Sequence, residues 1–121
     1  MMRLALSLFL FLVTAPALAA DPWSDADKTR EAIYLTLHVV DWGQSLDIAK
    51  RPDAYNEDSP FLGAQPSVRR VNTHFAVTAA LHVAAVHVMP SNWRPVFQYF
   101  WIATEAGVVC NNYRIGLRMN F

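Results

Sequence analysis

The sequence predicts an all-α fold, a small three-helix bundle that is embedded in a membrane and follows an N-terminal signal peptide. A short apolar run and an alanine-rich exit open the chain. Long segments with helical character follow, and prolines separate them. Basic residues then concentrate on one side of the predicted bundle, as they do in membrane proteins.

Residues 1–20 have the layout of a secretory signal peptide. Arg3 supplies the positive start, residues 4–13 form the apolar run, and an Ala-x-Ala exit follows. The run of about ten residues is shorter than the ~20 that a helix needs to cross a bilayer. We therefore expect cleavage after Ala19 or the next alanine, which leaves residues 21–121 as a single helical domain. An uncleaved anchor is the alternative.

The first helix is predicted over residues 26–50. Ser24 or Asp25 can cap its start, because both side chains accept hydrogen bonds from free N–H groups of a first turn. An Arg-Pro pair ends it, since the residue before a proline disfavours helix. Residues 52–66 then carry three prolines and a glycine among polar side chains, which predicts a loop.

The second and third helices are predicted over residues 67–89 and 95–111. Residues 71–89 contain no Asp, Glu, Lys or Arg, and their many alanines favour helix over strand. Pro90 ends this segment. The third helix has Glu105 as its only acidic group.

Helix length and charge bias both favour a membrane. The uncharged part of the second helix extends ~28 Å, about the thickness of the hydrocarbon layer. The first helix is less favourable, because Asp41 at its centre costs ~2.5–3.5 kcal/mol on insertion scales. With the new N-terminus outside, three basic residues fall outside and six fall inside, which agrees with the positive-inside rule. The inner residues are Lys50, Arg51, Arg69, Arg70, Arg114 and Arg118. We therefore expect the cell envelope, at the inner membrane of a bacterium, with a soluble periplasmic bundle as the alternative.

Residues 113–121 follow a different pattern, with apolar side chains at every second position. This is strand spacing, and with the final Phe121 it resembles the last strand of bacterial outer-membrane barrels. The rest of the domain lacks the alternating segments of about ten residues that a barrel requires. An outer-membrane component therefore stays a further alternative, and a short frayed or extended tail is the simpler expectation.

Each predicted helix carries polar side chains on one face. They recur at steps of three, four or seven residues, so they align along the helix. Packed together, and joined by an acidic residue of the loop, these stripes predict an interhelical polar cluster. The candidate cluster comprises His38, Asp41, Ser45, Glu57, His74, Thr78, His82, Gln98, Glu105 and Asn112.

The simplest interpretation of the cluster is a hydrogen-bond network that specifies packing, with each bond worth ~0.6–2 kcal/mol. Ionisable groups inside a membrane are also functional candidates, so two alternatives stay open. One is a metal site at His74, His82, Asp41 and Glu105, although the two histidines are ~12 Å apart along the helix axis and no metal is predicted. The other is acid–base work by Asp41 with His38, or by Glu105, for which no nucleophile or oxyanion donors are evident.

Two short segments resemble a family of small bacterial helical membrane proteins of unknown function. Residues 41–45 read Asp-Trp-Gly-Gln-Ser and residues 57–60 read Glu-Asp-Ser-Pro. The family pairs an Asp-x-x-x-Thr segment in an early helix with a Glu-x-Asn-Pro segment in the next loop. Serine stands here where the family favours threonine or asparagine. The resemblance spans residues 32–81, and it implies a helical membrane fold with these acidic residues near one another, without implying an activity.

Composition and motifs exclude several functions. Without Arg3 the chain has nine basic and ten acidic residues, which provides no field for nucleic acid. No phosphate loop, dinucleotide fingerprint or Gly-x-Ser-x-Gly motif occurs, and no cofactor is expected. The single cysteine, Cys110, is predicted to be a small buried hydrophobe.

These observations predict an exported helical membrane protein with a structural or partner-binding role. Its expected partners are membrane lipid and a protein partner or a second copy of the chain. A membrane-embedded enzyme or metal-binding protein that uses Asp41, Glu105 and the histidines is the second hypothesis.

Overall fold

The structure is a computed structural model that describes residues 21–121, and the predicted signal peptide lies outside the described residues. Helix α1 is Asp25–Lys50, α2 is Val68–Val88 and α3 is Arg94–Arg114. Residues 21–121 contain no strand. The predicted all-α three-helix bundle is therefore confirmed for this part of the chain.

Helix α1 begins with a capping box formed by Ser24 and Asp27. The Ser24 hydroxyl accepts a hydrogen bond from the Asp27 backbone N–H at 3.0 Å, and the Asp27 carboxylate accepts one from the Ser24 N–H at 2.9 Å. Both bonds satisfy donors that the start of a helix otherwise leaves free. The helix ends at Lys50, because Pro52 disfavours helical geometry in the residue before it.

Helices α2 and α3 start differently. Ser67 caps α2 by accepting a hydrogen bond from the Arg70 N–H at 3.1 Å, whereas α3 has Pro95 in its first turn and no side-chain cap. Helix α3 continues to Arg114, three residues past its predicted end. The Asn112 side chain donates to Asp41 and Gln44 of α1. It therefore does not cap the end of α3, and the helix continues beyond it.

Helix α1 is the central element of the bundle. It packs along both other helices, whereas α2 and α3 make few contacts with each other. A groove therefore separates α2 from α3, with α1 as its floor. The apolar core is small and lies where the loop before α2 meets the helices. Its members are Leu46, Leu62, Val71 and Phe75.

The rest of the interior is mainly polar. Ten buried side chains in the described chain are polar or charged, and eight are hydrophobic. A buried polar group is costly unless it is hydrogen-bonded, and a buried charge is costly unless it is paired. Polar contacts therefore contribute to helix packing here to an extent that is unusual for a small bundle.

The surface has the opposite character. Among the exposed residues of segments 32–49, 71–93 and 95–113 there is no Asp, Glu, Lys or Arg. Exposed charged side chains in the described chain lie at the two ends of the bundle. The exposed side chains between the ends include Ile33, Val39, Val77, Leu81, Val83, Val96, Phe100 and Val108.

Cys110 belongs to this outer surface, so its predicted burial is wrong. It lies five positions after the buried Glu105, which is ~140° around the helix at ~100° per residue. Polar side chains occupy the inward face of α3, and the small apolar thiol is left on the outside.

The tail after α3 is neither a strand nor frayed. Gly116, with a φ of 103°, turns the chain back toward α1. Leu117 is fully buried, and the Asn120 N–H donates to the Gly43 carbonyl at 3.0 Å. The tail has no neighbouring strand to pair with, so its alternating side chains pack against a helix. The expectation of a frayed tail is therefore wrong.

Gly43 permits this packing and provides a test of it. A Cβ atom at Gly43 would lie 2.7 Å from the Phe121 ring and 2.9 Å from Met119. We expect Gly43→Ala to displace the tail and destabilise the protein by about 1–3 kcal/mol, measured by thermal unfolding. Gly107→Ala is the matched control, because nothing lies within 4 Å of its added Cβ. That control is expected to be neutral or stabilising by about 0.5–1 kcal/mol. Equal unfolding midpoints for the two variants would contradict the packing of the tail.

Candidate functional site

The site is built on a polar seam along α1, formed by Asp27, Glu31, Tyr34, His38 and Asp41. Their alternating steps of four and three are the spacing at which apolar residues normally line a helix–helix contact. The first four are buried, and Asp41 is half-buried beside the groove. The seam therefore has polar groups where a bundle usually buries aliphatic side chains.

Arg94 anchors α3 to the start of the seam. Its fully buried guanidinium donates to four backbone carbonyls at 2.6–3.2 Å and lies 3.5 Å from the Asp27 carboxylate. Arg30 contacts the other oxygen of Asp27 at 2.5 Å. Beside them, the Ser91 N–H donates to the Asp21 carboxylate at 2.8 Å, which lowers the pKa of Asp21. One end of the bundle is thus held by a paired and fully hydrogen-bonded charge cluster.

Glu31 connects α1 to both neighbouring helices. Its carboxylate lies 2.7 Å from His82 Nδ1 on α2 and accepts a hydrogen bond from Gln98 Nε2 on α3 at 2.9 Å. His82 Nε2 is buried and has no hydrogen-bond partner in the described chain.

Tyr34 connects this layer to the next one. Its ring stacks on His82, with centroids 3.5 Å apart and planes inclined by 15°. On its other side it stacks on His38, with centroids 5.4 Å apart and planes inclined by 24°. The two histidines therefore lie in one continuous aromatic stack inside the bundle.

His38 joins all three helices. Its Nδ1 lies 3.0 Å from Glu105 Oε1, and its Nε2 lies 3.1 Å from both the Phe75 carbonyl and the Thr78 hydroxyl. The Thr78 hydroxyl donates to a carbonyl of its own helix at 2.8 Å, so its oxygen is free to accept. Both ring nitrogens thus face acceptors, which is the arrangement of an imidazolium that donates to a glutamate.

Asp41 and Glu105 form a carboxyl pair beside this histidine. Both side chains line the groove between α2 and α3. Asn112 Nδ2 donates to Asp41 Oδ1 and to Gln44 Oε1, each at 3.1 Å. Glu105 Oε2 is buried and receives no N–H group of the described chain.

Asp47 fixes the far end of α1 to the tail. Its carboxylate accepts hydrogen bonds from the Arg51 side chain, from the Arg118 N–H at 3.0 Å and from the Asn120 amide at 3.2 Å. The hydrogen bond to Asp47 raises the pKa of Arg51. Both ends of the bundle are therefore held by a buried aspartate that is paired with arginine.

Two cavities meet at Asp41. The first has a volume of about 650 Å³ and lies between the α1–α2 loop, α1 and α3, with Asp41 and Glu57 in its wall. The second has a volume of about 420 Å³ and is the groove between α2 and α3, where His38, Asp41 and Glu105 line the floor. Asp41 is thus accessible from both cavities, and Glu105 is accessible from the groove.

No protein-family model, curated protein or solved structure matches this chain. The resemblance to a family of small membrane proteins stays a prediction. What the protein does must therefore be inferred from the arrangement of its own residues.

The structure brings half of the predicted cluster into direct contact. Hydrogen bonds join His38 to Thr78 and Glu105, and a separate hydrogen bond joins Asn112 to Asp41. Glu57 and Ser45 line the first cavity beside them. These residues form the candidate site.

The other predicted residues lie elsewhere. His82 and Gln98 meet at Glu31, on the far side of Tyr34. His74 lies at the rim between the cavities, where its ring stacks on Phe61 with centroids 6.3 Å apart. In residues 21–121 no group of three or more His, Cys, Asp or Glu side chains could hold a metal ion. The four ligands of the metal hypothesis are not brought together, because the buried imidazoles pair with different glutamates.

The predicted cluster does not include the first half of the seam, Asp27 and Glu31, although the heptad spacing is present. Glu31 lies seven positions before His38, and Arg94 lies four positions before Gln98 on the stripe of α3. Extending the α1 stripe by two turns reaches Glu31, and extending the α3 stripe by one turn reaches Arg94.

The Arg94 contacts predict a large effect of a single substitution. We expect Arg94→Met to destabilise the protein by about 3–5 kcal/mol, because it leaves buried carbonyls and the Asp27 carboxylate without their donor. Arg94→Lys is expected to recover only part of this loss, since an ammonium cannot supply the planar set of donors. Arg69→Met, on the exposed surface, is the control with no expected loss. The readout is the midpoint of thermal unfolding, and comparable midpoints for the two methionine variants would contradict the anchoring role.

Proposed function

We propose that the chain is an exported integral membrane protein of the bacterial cell envelope, located in the inner membrane, with a structural or partner-binding role. The observation that carries the proposal is the inverted distribution of polarity. Charged side chains are buried along the seam or exposed at the ends, and the exposed middle of each helix lacks them. In lipid, this distribution avoids the cost of placing charge against hydrocarbon.

The dimensions of the uncharged belt support this proposal. Lys28 and Lys50 are exposed residues 22 positions apart on α1, which corresponds to about 33 Å at ~1.5 Å per residue. The hydrocarbon layer of a bilayer is about 30 Å thick. Trp93 and Tyr113 are exposed near opposite ends of the belt, where aromatic side chains favour the membrane interface.

Hydropathy alone gives weaker support. Among the described helices, only α2 is long and apolar enough to cross a membrane by length and composition. Helices α1 and α3 do not, and among their charged side chains are Asp27, Glu31, Arg94 and Glu105. These four side chains are buried inside the bundle and paired, so lipid would not meet their charges.

Exposed threonines on the helices also suit a bilayer. The Thr36 hydroxyl donates to the Ala32 carbonyl at 2.7 Å, and the Thr104 hydroxyl donates to the Phe100 carbonyl at 2.9 Å. Such bonds satisfy a hydroxyl group where no water is present.

The charge distribution supports an orientation. All six basic residues of the predicted inner side are exposed at the same end of the bundle. At the other end, Arg94 is buried and Arg30 is half-buried, and both contact Asp27, so that Lys28 is the exposed lysine or arginine at that end of the described chain. The positive-inside rule then favours a cytoplasmic α1–α2 loop. A cleaved signal peptide would leave the start of α1 outside, in agreement with this orientation.

The polar seam accounts for a structural role. Between helices in lipid there is no hydrophobic driving force, so packing depends on close contact and interhelical hydrogen bonds. Glu31 and His38 each contact both α2 and α3, and so determine the register of all three helices. A bundle organised in this way can present a defined apolar surface to a partner protein.

Fractionation of a bacterium that expresses the full chain tests the membrane proposal. We expect recovery with the inner membrane after carbonate washing, because three spanning helices resist extraction. The soluble lysate and a peripheral inner-membrane protein serve as controls. Recovery in the periplasmic or carbonate-soluble fraction would support the soluble alternative, and recovery with the outer membrane would also contradict the proposal.

Single cysteines test the topology. In a Cys110→Ser background, we expect a membrane-impermeant maleimide to label Ser91→Cys in intact spheroplasts and Asp53→Cys only after lysis. Ala103→Cys lies on the exposed middle of α3 and is expected to stay unlabelled in membranes until detergent denatures the protein. Rapid labelling of Ala103→Cys in native membranes would contradict burial in lipid.

A further inference from the structure

The groove between α2 and α3 has the composition of a binding site for a small molecule. Its volume of about 420 Å³ lies in the range of ligand pockets, and most of its lining is apolar or aromatic. Phe97 and Trp101 form the α3 wall, and Phe75 and Leu81 form the α2 wall. The polar groups are concentrated on the floor, where Glu105 contributes a carboxylate.

One unpartnered atom of this groove is an acceptor. Glu105 Oε2 is buried without a hydrogen-bond partner, and Glu105 lines the groove. The residue is well shielded, since Glu105 is 8% exposed. A buried acceptor without a donor carries a desolvation cost that a ligand with N–H groups would relieve.

Carboxyl groups outnumber their cationic partners in the groove. Asp41 and Glu105 line it, and neither lysine nor arginine is present among its lining residues. His38 balances one of the two carboxyl groups at 3.0 Å. The remaining carboxyl group has no cationic partner in the groove, and aromatic rings next to it add a further preference for cations.

We propose that this groove binds a hydrophobic primary amine in its ammonium form. The ammonium group donates to the carboxyl groups of Glu105 and Asp41. The apolar body of the amine lies against Phe97 and Trp101. This site goes beyond the proposed structural role and does not depend on which membrane holds the protein.

The test uses 4-fluorophenethylamine with the purified protein in lipid nanodiscs, followed by fluorine NMR. We expect saturable binding of the amine, and at least about tenfold weaker binding of the neutral isostere 4-fluorophenethyl alcohol, because a charge-assisted hydrogen bond is lost. Equal binding of amine and alcohol would overturn the assignment of an ammonium site. Absence of saturable amine binding would overturn the proposal altogether.

Two pairs of variants locate the binding. Glu105→Gln is expected to weaken amine binding about tenfold or more, and Asp53→Asn, on the exposed loop, is its matched control. Because Glu105→Gln also removes the partner of His38, a second variant leaves the acidic groups untouched. Ala85→Leu fills the groove from α2, while Ala84→Leu adds the same volume on the outer face. Amine affinity is expected to fall for Ala85→Leu only.

The outcomes separate this proposal from the membrane proposal. A protein that stays in the membrane after carbonate washing but binds the amine equally in the Ala84→Leu and Ala85→Leu variants overturns the groove site alone. Carbonate-soluble protein that binds the amine in a Glu105-dependent way overturns the membrane proposal alone.

Discussion

The structure depends on hydrogen bonds between the buried seam of α1 and polar groups of the two helices beside it. Helices α2 and α3 make few contacts with each other, so each is held mainly through α1. Glu31 and His38 each contact both neighbouring helices. Glu31 does so through His82 and Gln98, and His38 does so through Glu105 and the α2 backbone. Loss of the seam would leave only the small apolar core near the loop to hold the helices together.

A seam of this kind determines geometry more strictly than an apolar contact would. A leucine can shift along a neighbouring helix with a small loss of stability, because its contacts are non-directional. A buried carboxylate that loses its donor is strongly destabilising. Arg94 illustrates the constraint, because its five contacts are satisfied at one position and rotation only. In an apolar solvent the same groups would find no water as a substitute, which makes the constraint stricter.

Most of the fold could be predicted from the sequence because local signals determine it. The serine caps, the prolines after α1 and α2 and the alanine-rich middle segment limit the helices to within a few residues. The tail could not be predicted in the same way, because the alternation that indicates a strand also suits packing onto a helix next to Gly43. The stripes identified His38, Asp41 and Glu105, but stripe periodicity does not determine which glutamate each histidine contacts. That pairing depends on the rotation and axial offset of three helices, which are properties of tertiary packing.

The two halves of the seam differ in how their charges are paired. Around Asp27, each buried charge meets an opposite charge or several backbone carbonyls, which is expected of a part whose role is to hold the helices. The buried atoms without a partner in this half, Trp23 Nε1 and His82 Nε2, are ring nitrogens and not carboxyl oxygens. Around Asp41, two carboxyl groups share one imidazole, and buried oxygens of Glu57 and Glu105 have no partner in the described chain. Burying a surplus of acceptors costs stability and adds nothing to packing. A surplus of carboxyl groups beside two cavities therefore indicates that this end serves binding, while the end with paired charges preserves its geometry.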